Sequence, residues 1–169
     1  SPVLDLGMDP RFPRQFESFG EDPLLVKLFG EQMIKGYQGE DNKVSNPEKL
    51  AACMKHFVGY HVTVSGKDRT PAYIPDHVLK EYHIASFKRA IDAGAKTIMI
   101  NSGLINGVSV HASYKLMTEI LRNDLGFQGV ILTDWEDINK LCDRDKIAID
   151  RKQAAKIAIN AGVDMSMVP

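Results

Sequence analysis

Asp134 is the residue in this chain best placed to do chemistry. It follows the run Gly126-Phe127-Gln128-Gly129-Val130-Ile131-Leu132-Thr133, an apolar strand that passes straight into one carboxylate backed by the indole of Trp135. In a parallel α/β barrel the strand bodies fill the interior and the groups at their C-terminal ends meet the loops, so an acid there is a candidate nucleophile or base. A solvated turn would account for the acids of Asp134-Trp135-Glu136-Asp137, but not for a bulky ring at the junction. Trp135 suits the apolar face of a sugar ring.

Lys55-His56-Phe57 closes a second apolar run with a cation beside an imidazole, groups that suit a polyhydroxylated ligand. The plainer alternative is a lysine reaching solvent and a histidine satisfied by a backbone carbonyl. Arg11 and Arg14 lie among Asp9, Glu17, Glu21 and Asp22; their guanidinium forks could bind hydroxyls or hold carboxylates, and by themselves they read as a structural ion-pair network. Lys67-Asp68-Arg69 reads as a solvated charge cluster. The five histidines, His56, His61, His77, His83 and His111, show no metal-ligand spacing, and His77 and His83 are expected to face water or a neighbouring helix turn.

These groups need elements to carry them. Short β-rich runs near Val3-Leu6, Ala52-Val58, Thr97-Asn101, Val130-Thr133 and Val163-Val168 alternate with four helical patterns, the signature of β-α-β units and a parallel sheet. The first helix starts at Asp22 as N-cap with Pro23 in its first turn, and Leu25, Phe29, Met33 and Tyr37 are expected to face the sheet before Gly39 stops it. The second runs from about Asp76 to Ala93, with Ile84, Phe87 and Ile91 inward. The third opens at Ser113 and buries Met117, Leu121 and Leu125; the fourth follows Asp150 and ends at Gly162. Two long polar connections, 59–75 and 102–112, are βα loops in such a fold, where function concentrates.

The 169 residues are 44% hydrophobic and 25% charged, with a net charge of −1, an ordinary globular composition. No basic block supports a nucleic-acid partner, and no apolar run approaches the roughly 20 residues of a membrane span. Cys53 and Cys142 read as buried thiols rather than a pair. A glycine-rich phosphate loop, a Gly-x-Ser-x-Gly elbow, His-Glu-x-x-His and Cys-x-x-Cys do not occur, so no cofactor and no metal is expected. Five strands and four helices amount to a partial (β/α)8 barrel, because a closed one takes roughly 250 residues.

Read in order, the stretch from Ser1 to Arg14, the Glu17-Ser18-Phe19-Gly20-Glu21-Asp22-Pro23 segment, Lys55-His56-Phe57, Asn106-Gly107-Val108 with His111-Ala112, and Gly126-Phe127 through Thr133-Asp134-Trp135 resemble the N-terminal barrel of glycoside hydrolase family 3, β-glucosidase type. That resemblance implies a retaining β-glycosidase acting on terminal β-linked glucose or a related sugar of an oligosaccharide or aryl β-glycoside. Asp134 would be the nucleophile, and Arg14, Lys55 and His56 would hold the sugar, with Lys55 and Arg14 helping to keep Asp134 ionised. It further implies that residues 1–169 are the central part of that barrel. The remainder of the enzyme would supply two earlier βα units and a second domain carrying the acid/base. The Asp-Ser-His segment of N-acetylglucosaminidase-like members is missing, Ser102 stands where a Tyr is common, and Phe12-Pro13 replaces Trp-Gly. A periplasmic or secreted location goes with the resemblance. The competing expectations are a noncatalytic carbohydrate-binding or assembly fragment and, further off, an aldolase using Lys55 as a Schiff-base amine.

Overall fold

The computed structural model describes residues 1–168. Its sheet is parallel, in the order β1 (Cys53–Phe57), β2 (Thr97–Ile100), β5 (Val130–Leu132). Single parallel bridges extend it at both edges, Val3 to Lys55 and Leu132 to Met165. The five expected segments therefore stand side by side in chain order, but only the middle three are full strands. At the outer edge the Asp164 carboxylate accepts the Ile131 amide at 2.7 Å, and a side chain there takes the place of a backbone rung.

Each connection crosses over through helices, as parallel neighbours require. Helix α1 (Pro23–Gln38) is capped by Asp22, whose carboxylate accepts from the Leu24 amide at 2.8 Å, and ends at Gly39. The second crossover runs without a break through α2 (Asp76–Val78), a π-wound turn at Leu79–Ile84 and α3 (Ala85–Asp92). The third, Lys115–Asp124, is also π-wound and buries Met117 and Leu121. After β5 come two helices, α4 (Asp137–Asp143) and α5 (Arg151–Ala161), the latter capped by Asp150. The sequence pattern had shown only α5. Loop 102–112 likewise holds an unforeseen hairpin of β3 (Leu104–Ile105) and β4 (Val108–Ser109).

The buried face of α1 differs from the expected one. Val26, Gly30, Ile34 and Gln38 point inward, while Leu25 and Phe29 are exposed and Met33 and Tyr37 half-buried. An apolar count misses this face because two of its members are not apolar. A side chain at Gly30 would run into Leu4, so the glycine lets α1 lie close on the sheet. The buried Gln38 amide donates to the Gly94 carbonyl at 2.8 Å and accepts from the Ala52 amide at 3.0 Å, which ties the helix end to the loops that open β1 and β2.

The core is made of Leu4, Met54, Phe57, Ile98, Ile100 and Ile131 from the sheet, with Ile34, Phe87, Met117 and Leu121 from the helices. Fully burying a side chain of this size is worth roughly 1.5–3 kcal/mol, so this cluster fixes the strands. At Gly129 the backbone passes so close to the Lys96 carbonyl and the Phe127 ring that a Cβ has no room. Among the described residues no helix is long and apolar enough to cross a membrane. Cys53 and Cys142 are free and half-buried, less enclosed than expected.

Candidate active site

The C-terminal ends of the parallel segments bring Asp5, His56, Ser102 and Asp134 to one rim of the sheet. Their order follows from topology, since Asp5, Ser102 and Asp134 each lie two residues past the last pairing of their segments and His56 lies one residue before that of β1.

Asp5 is fully enclosed. Its Oδ2 accepts the His56 backbone N–H at 2.8 Å and lies 2.9 Å from His56 Nδ1, and its Oδ1 takes the Tyr60 amide at 3.3 Å. A carboxylate can only accept, so Nδ1 carries the ring proton and Nε2 is left as an acceptor. Arg14 Nη2 stands 3.2 Å from that Nε2. Burial works against the charge on Asp5, yet the hydrogen bonds from His56 and the nearby His61 ring hold its pKa below the usual carboxylate value.

Arg14 is itself gripped by Glu17, with Nε to Oε1 at 2.7 Å and Nη2 to Oε2 at 3.0 Å, and its Nη1 donates to the Tyr60 hydroxyl at 3.3 Å. Glu17 raises the Arg14 pKa further above its ordinary value. Lys55 Nζ reaches the same Glu17 at 3.5 Å. The structure thus brings Arg14, Lys55 and His56 together as one group, and Glu17 and Asp5, which the sequence did not single out, hold it. Tyr60 closes the ring with a short hydrogen bond to Asp68.

Asp134 is only 6% exposed, more enclosed than an open strand mouth would make it. Its two oxygens differ. Oδ1 accepts the Trp135 amide at 2.5 Å and Arg69 Nη2 at 3.2 Å, while Oδ2 is buried with no hydrogen-bond partner. Burial pushes the pKa up, but the Trp135 amide, then Arg69, and then His56 and Arg14 outweigh it and hold the group below its ordinary value. The cations expected to keep this carboxylate ionised were Lys55 and Arg14; Arg14 does contribute, Lys55 pairs with Glu17 instead, and the cation in direct contact is Arg69. Trp135, 56% exposed, presents its ring at the rim beside the acid.

Arg69 is therefore a site residue that the sequence presented as part of a solvated cluster. It shares Asp137 with two other groups: Asp137 Oδ1 accepts from Ser102 Oγ at 2.7 Å, Lys140 Nζ at 2.5 Å and Arg69 Nη1 at 3.4 Å. Behind it, His111 Nε2 is 3.4 Å from Asp137 Oδ2, and burial drives the His111 pKa down to about 4 despite the pull of Asp137 and Asp134. The one hint in the sequence was position, a lone arginine in the longest βα loop. His83, expected to face water or a neighbouring turn, is buried, and its pKa is lowered by that burial.

One group could in principle hold a metal ion. Ligand atoms of Asp5, His56 and His61 all lie within 4.8 Å of one another. The Asp5 oxygens, however, already accept three N–H groups, and His56 lies against Arg14, so the trio is better described as the brace behind the His56 ring.

The chain is 47% identical over 173 residues to a lysosomal beta glucosidase of Dictyostelium discoideum, a match covering 100% of this chain and 21% of that protein. It is 36% identical over 170 residues to a beta-xylosidase of Formosa agariphila, covering 99% and 24%. Among solved structures, a β-glucosidase from Erythrobacter marinus superposes with a TM-score of 0.96 at 32% identity, covering 100% of this chain and 22% of that one. The chain thus spans between a fifth and a quarter of the length of these relatives. The partial α/β barrel is the fold those neighbours share over this region. The model of the glycosyl hydrolase family 3 N terminal domain matches residues 1–169, and the chain belongs to that family.

Proposed function

We propose that this chain supplies the nucleophile and the sugar-holding groups of a retaining β-glycosidase that removes terminal β-linked glucose, or a related sugar such as xylose, from an oligosaccharide or aryl β-glycoside. The observation that carries the reading is the state of Asp134, an ionised carboxylate at a strand end with one oxygen bound twice and the other unclaimed. The unclaimed oxygen attacks the anomeric carbon. A second carboxyl group protonates the departing oxygen and then activates water, the pair standing about 5–5.5 Å apart in retaining enzymes.

Asp137 does not suit the second role, because Ser102, Lys140 and Arg69 all occupy its Oδ1, its Oδ2 is closed in beside His111, and the residue is buried. The acid/base belongs to the remainder of the protein, together with the barrel units that complete the rim. Arg14, Lys55 and His56 hold the sugar hydroxyls, and Trp135 lies against an apolar face of the ring or the aglycone. The Dictyostelium relative is named as lysosomal, and a compartment outside the cytosol, periplasmic or secreted, suits this protein as well.

One observation favours a different role. Oδ2 of Asp134 is closed to solvent, as it could stay in a carbohydrate-binding or assembly unit without catalysis. An activated 2-fluoro glucoside separates the two in the complete protein. Covalent trapping on Asp134 is the expected result, and reversible binding alone would leave the noncatalytic role. Turnover of an aryl β-glucoside that survives Asp134→Gly in a folded protein would reject the assigned nucleophile.

A further inference from the structure

We infer that Arg69 is a positioning residue for the nucleophile: anchored by Ser102 and Asp137, its guanidinium fixes Oδ1 of Asp134 and so assigns the attack to Oδ2. The inference rests on the reading of Asp134 as nucleophile and adds to it the group that sets its orientation and charge.

Three observations carry it. The first is the fork itself. Nη2 donates to Asp134 Oδ1 at 3.2 Å while Nη1 donates to Ser102 Oγ at 2.6 Å and Asp137 Oδ1 at 3.4 Å, so one planar group spans the nucleophile and its anchor. The proton direction is fixed, because Ser102 Oγ gives its own hydrogen to Asp137 at 2.7 Å and can only accept from the arginine.

The second is the backbone. Arg69 has φ of 59°, a left-handed conformation that a residue with a long side chain rarely adopts and that persists where surrounding contacts impose it. The loop around it supplies such contacts. Thr63 and Thr70 hydroxyls both bond the Lys67 carbonyl, and past Thr70 the chain is zipped to the β3–β4 hairpin through Ala72 N to the Leu104 carbonyl and Asn106 N to the Ala72 carbonyl. An arginine on a braced loop costs less to order than one on a free arm.

The third is the asymmetry of the carboxylate. With two donors on Oδ1 and none on Oδ2, the lone pairs of Oδ2 are the free ones. As Oδ2 bonds to the anomeric carbon, the bond from that carbon to the leaving oxygen breaks, its electron pair goes to that oxygen, and the acid elsewhere in the protein protonates it. The carboxylate charge is lost in the ester and returns when water displaces Asp134. Arg69 therefore acts twice, keeping the acid ionised before attack and stabilising the carboxylate as it departs.

The test uses the complete protein and two readouts that a packing role would not move. In Arg69→Met the acid limb of kcat/KM, which reports the free enzyme, shifts to higher pH, since the cation that lowers the Asp134 pKa is gone. Water also releases the 2-fluoroglucosyl group trapped on Asp134 at least tenfold more slowly. Arg69→Lys falls between the variant and the parent. Ser102→Ala, which keeps the guanidinium but removes one anchor, moves both readouts in the same direction by less and serves if Arg69→Met does not fold. An unmoved acid limb and an unchanged release rate in a folded arginine variant would overturn the inference while leaving the nucleophile assignment standing. Activity surviving Asp134→Gly would instead overturn that assignment.

Discussion

Asp5 and Asp134 are both enclosed carboxylates past the ends of parallel segments, with β1 and β2 between them, and both are held below their ordinary pKa. They differ in what their oxygens are doing. Asp5 is saturated by three N–H groups of His56 and Tyr60, two of them from the backbone. Asp134 commits Oδ1 to two donors and leaves Oδ2 with none. A buried acceptor left without a partner costs about 1–3 kcal/mol, which a fold tolerates where the atom has a task. Burial and a lowered pKa thus do not by themselves mark a reactive group, and neither does an unpartnered oxygen, since Oδ2 of Asp137 beside His111 has none either; Asp134 is set apart by joining that vacancy to a place just past a strand end, next to an exposed indole.

That contrast can be broken most severely at Asp134. Replacing it by glycine should lower kcat by roughly 10⁴-fold or more, the scale seen when a nucleophile is deleted, and added azide should restore turnover by entering the space. Asp5→Asn should be milder, with kcat/KM down about 10²-fold as the His56 ring loses its fixed tautomer. Covalent trapping on Asp134 should still proceed in that variant. If Asp5→Asn instead abolished trapping, the division between a saturated brace and a vacant nucleophile would fail.

His111 sharpens the comparison from behind. In the unfolded chain an ordinary imidazole takes up its proton near pH 6.5, whereas in the fold burial delays this to about 4. Its contribution to stability is therefore full above pH 6.5 and is lost as the pH falls toward 4, by up to roughly 3 kcal/mol. Asp5 and Asp134, with lowered values, lose theirs only below the ordinary carboxylate range near 3.8. Urea midpoints of the parent should fall between pH 6.5 and 4, and His111→Gln should flatten that slope. The smallest effect belongs to Trp135. Its ring is exposed, and Trp135→Ala should raise KM by about tenfold, the worth of one aromatic contact, with little change in kcat.

Much of the framework was readable in the residues because it rests on local rules. Asp22 before Pro23, Asp150 before α5 and the glycines Gly39, Gly94, Gly126 and Gly162 announce starts and stops that depend on nearby backbone alone. The inward face of α1 was misread because Gly30 and Gln38 are buried for reasons of approach and hydrogen bonding that an apolar period cannot show. Helix α4 is short and opens on Glu136 in a left-handed conformation, without a side-chain cap to announce it. In the site, Asp134, Arg14, Lys55, His56 and Trp135 came from strand ends and the family pattern. Arg69, Asp137 and Asp5 did not, because each earns its place through a partner more than 30 positions away in the chain.

Gly129 carries a last consequence. It lies at the opposite end of β5 from Asp134, where the backbone leaves no room beside the Lys96 carbonyl and the Val130 amide bonds that same oxygen at 3.0 Å. A strand advances about 3.3 Å per residue and behaves as a stiff rod. Its far tip can be aimed only as well as its base is seated. A methyl group at the base would push the rod sideways off the neighbouring Lys96 carbonyl, and Asp134 some five residues away would inherit that displacement though nothing near it had changed.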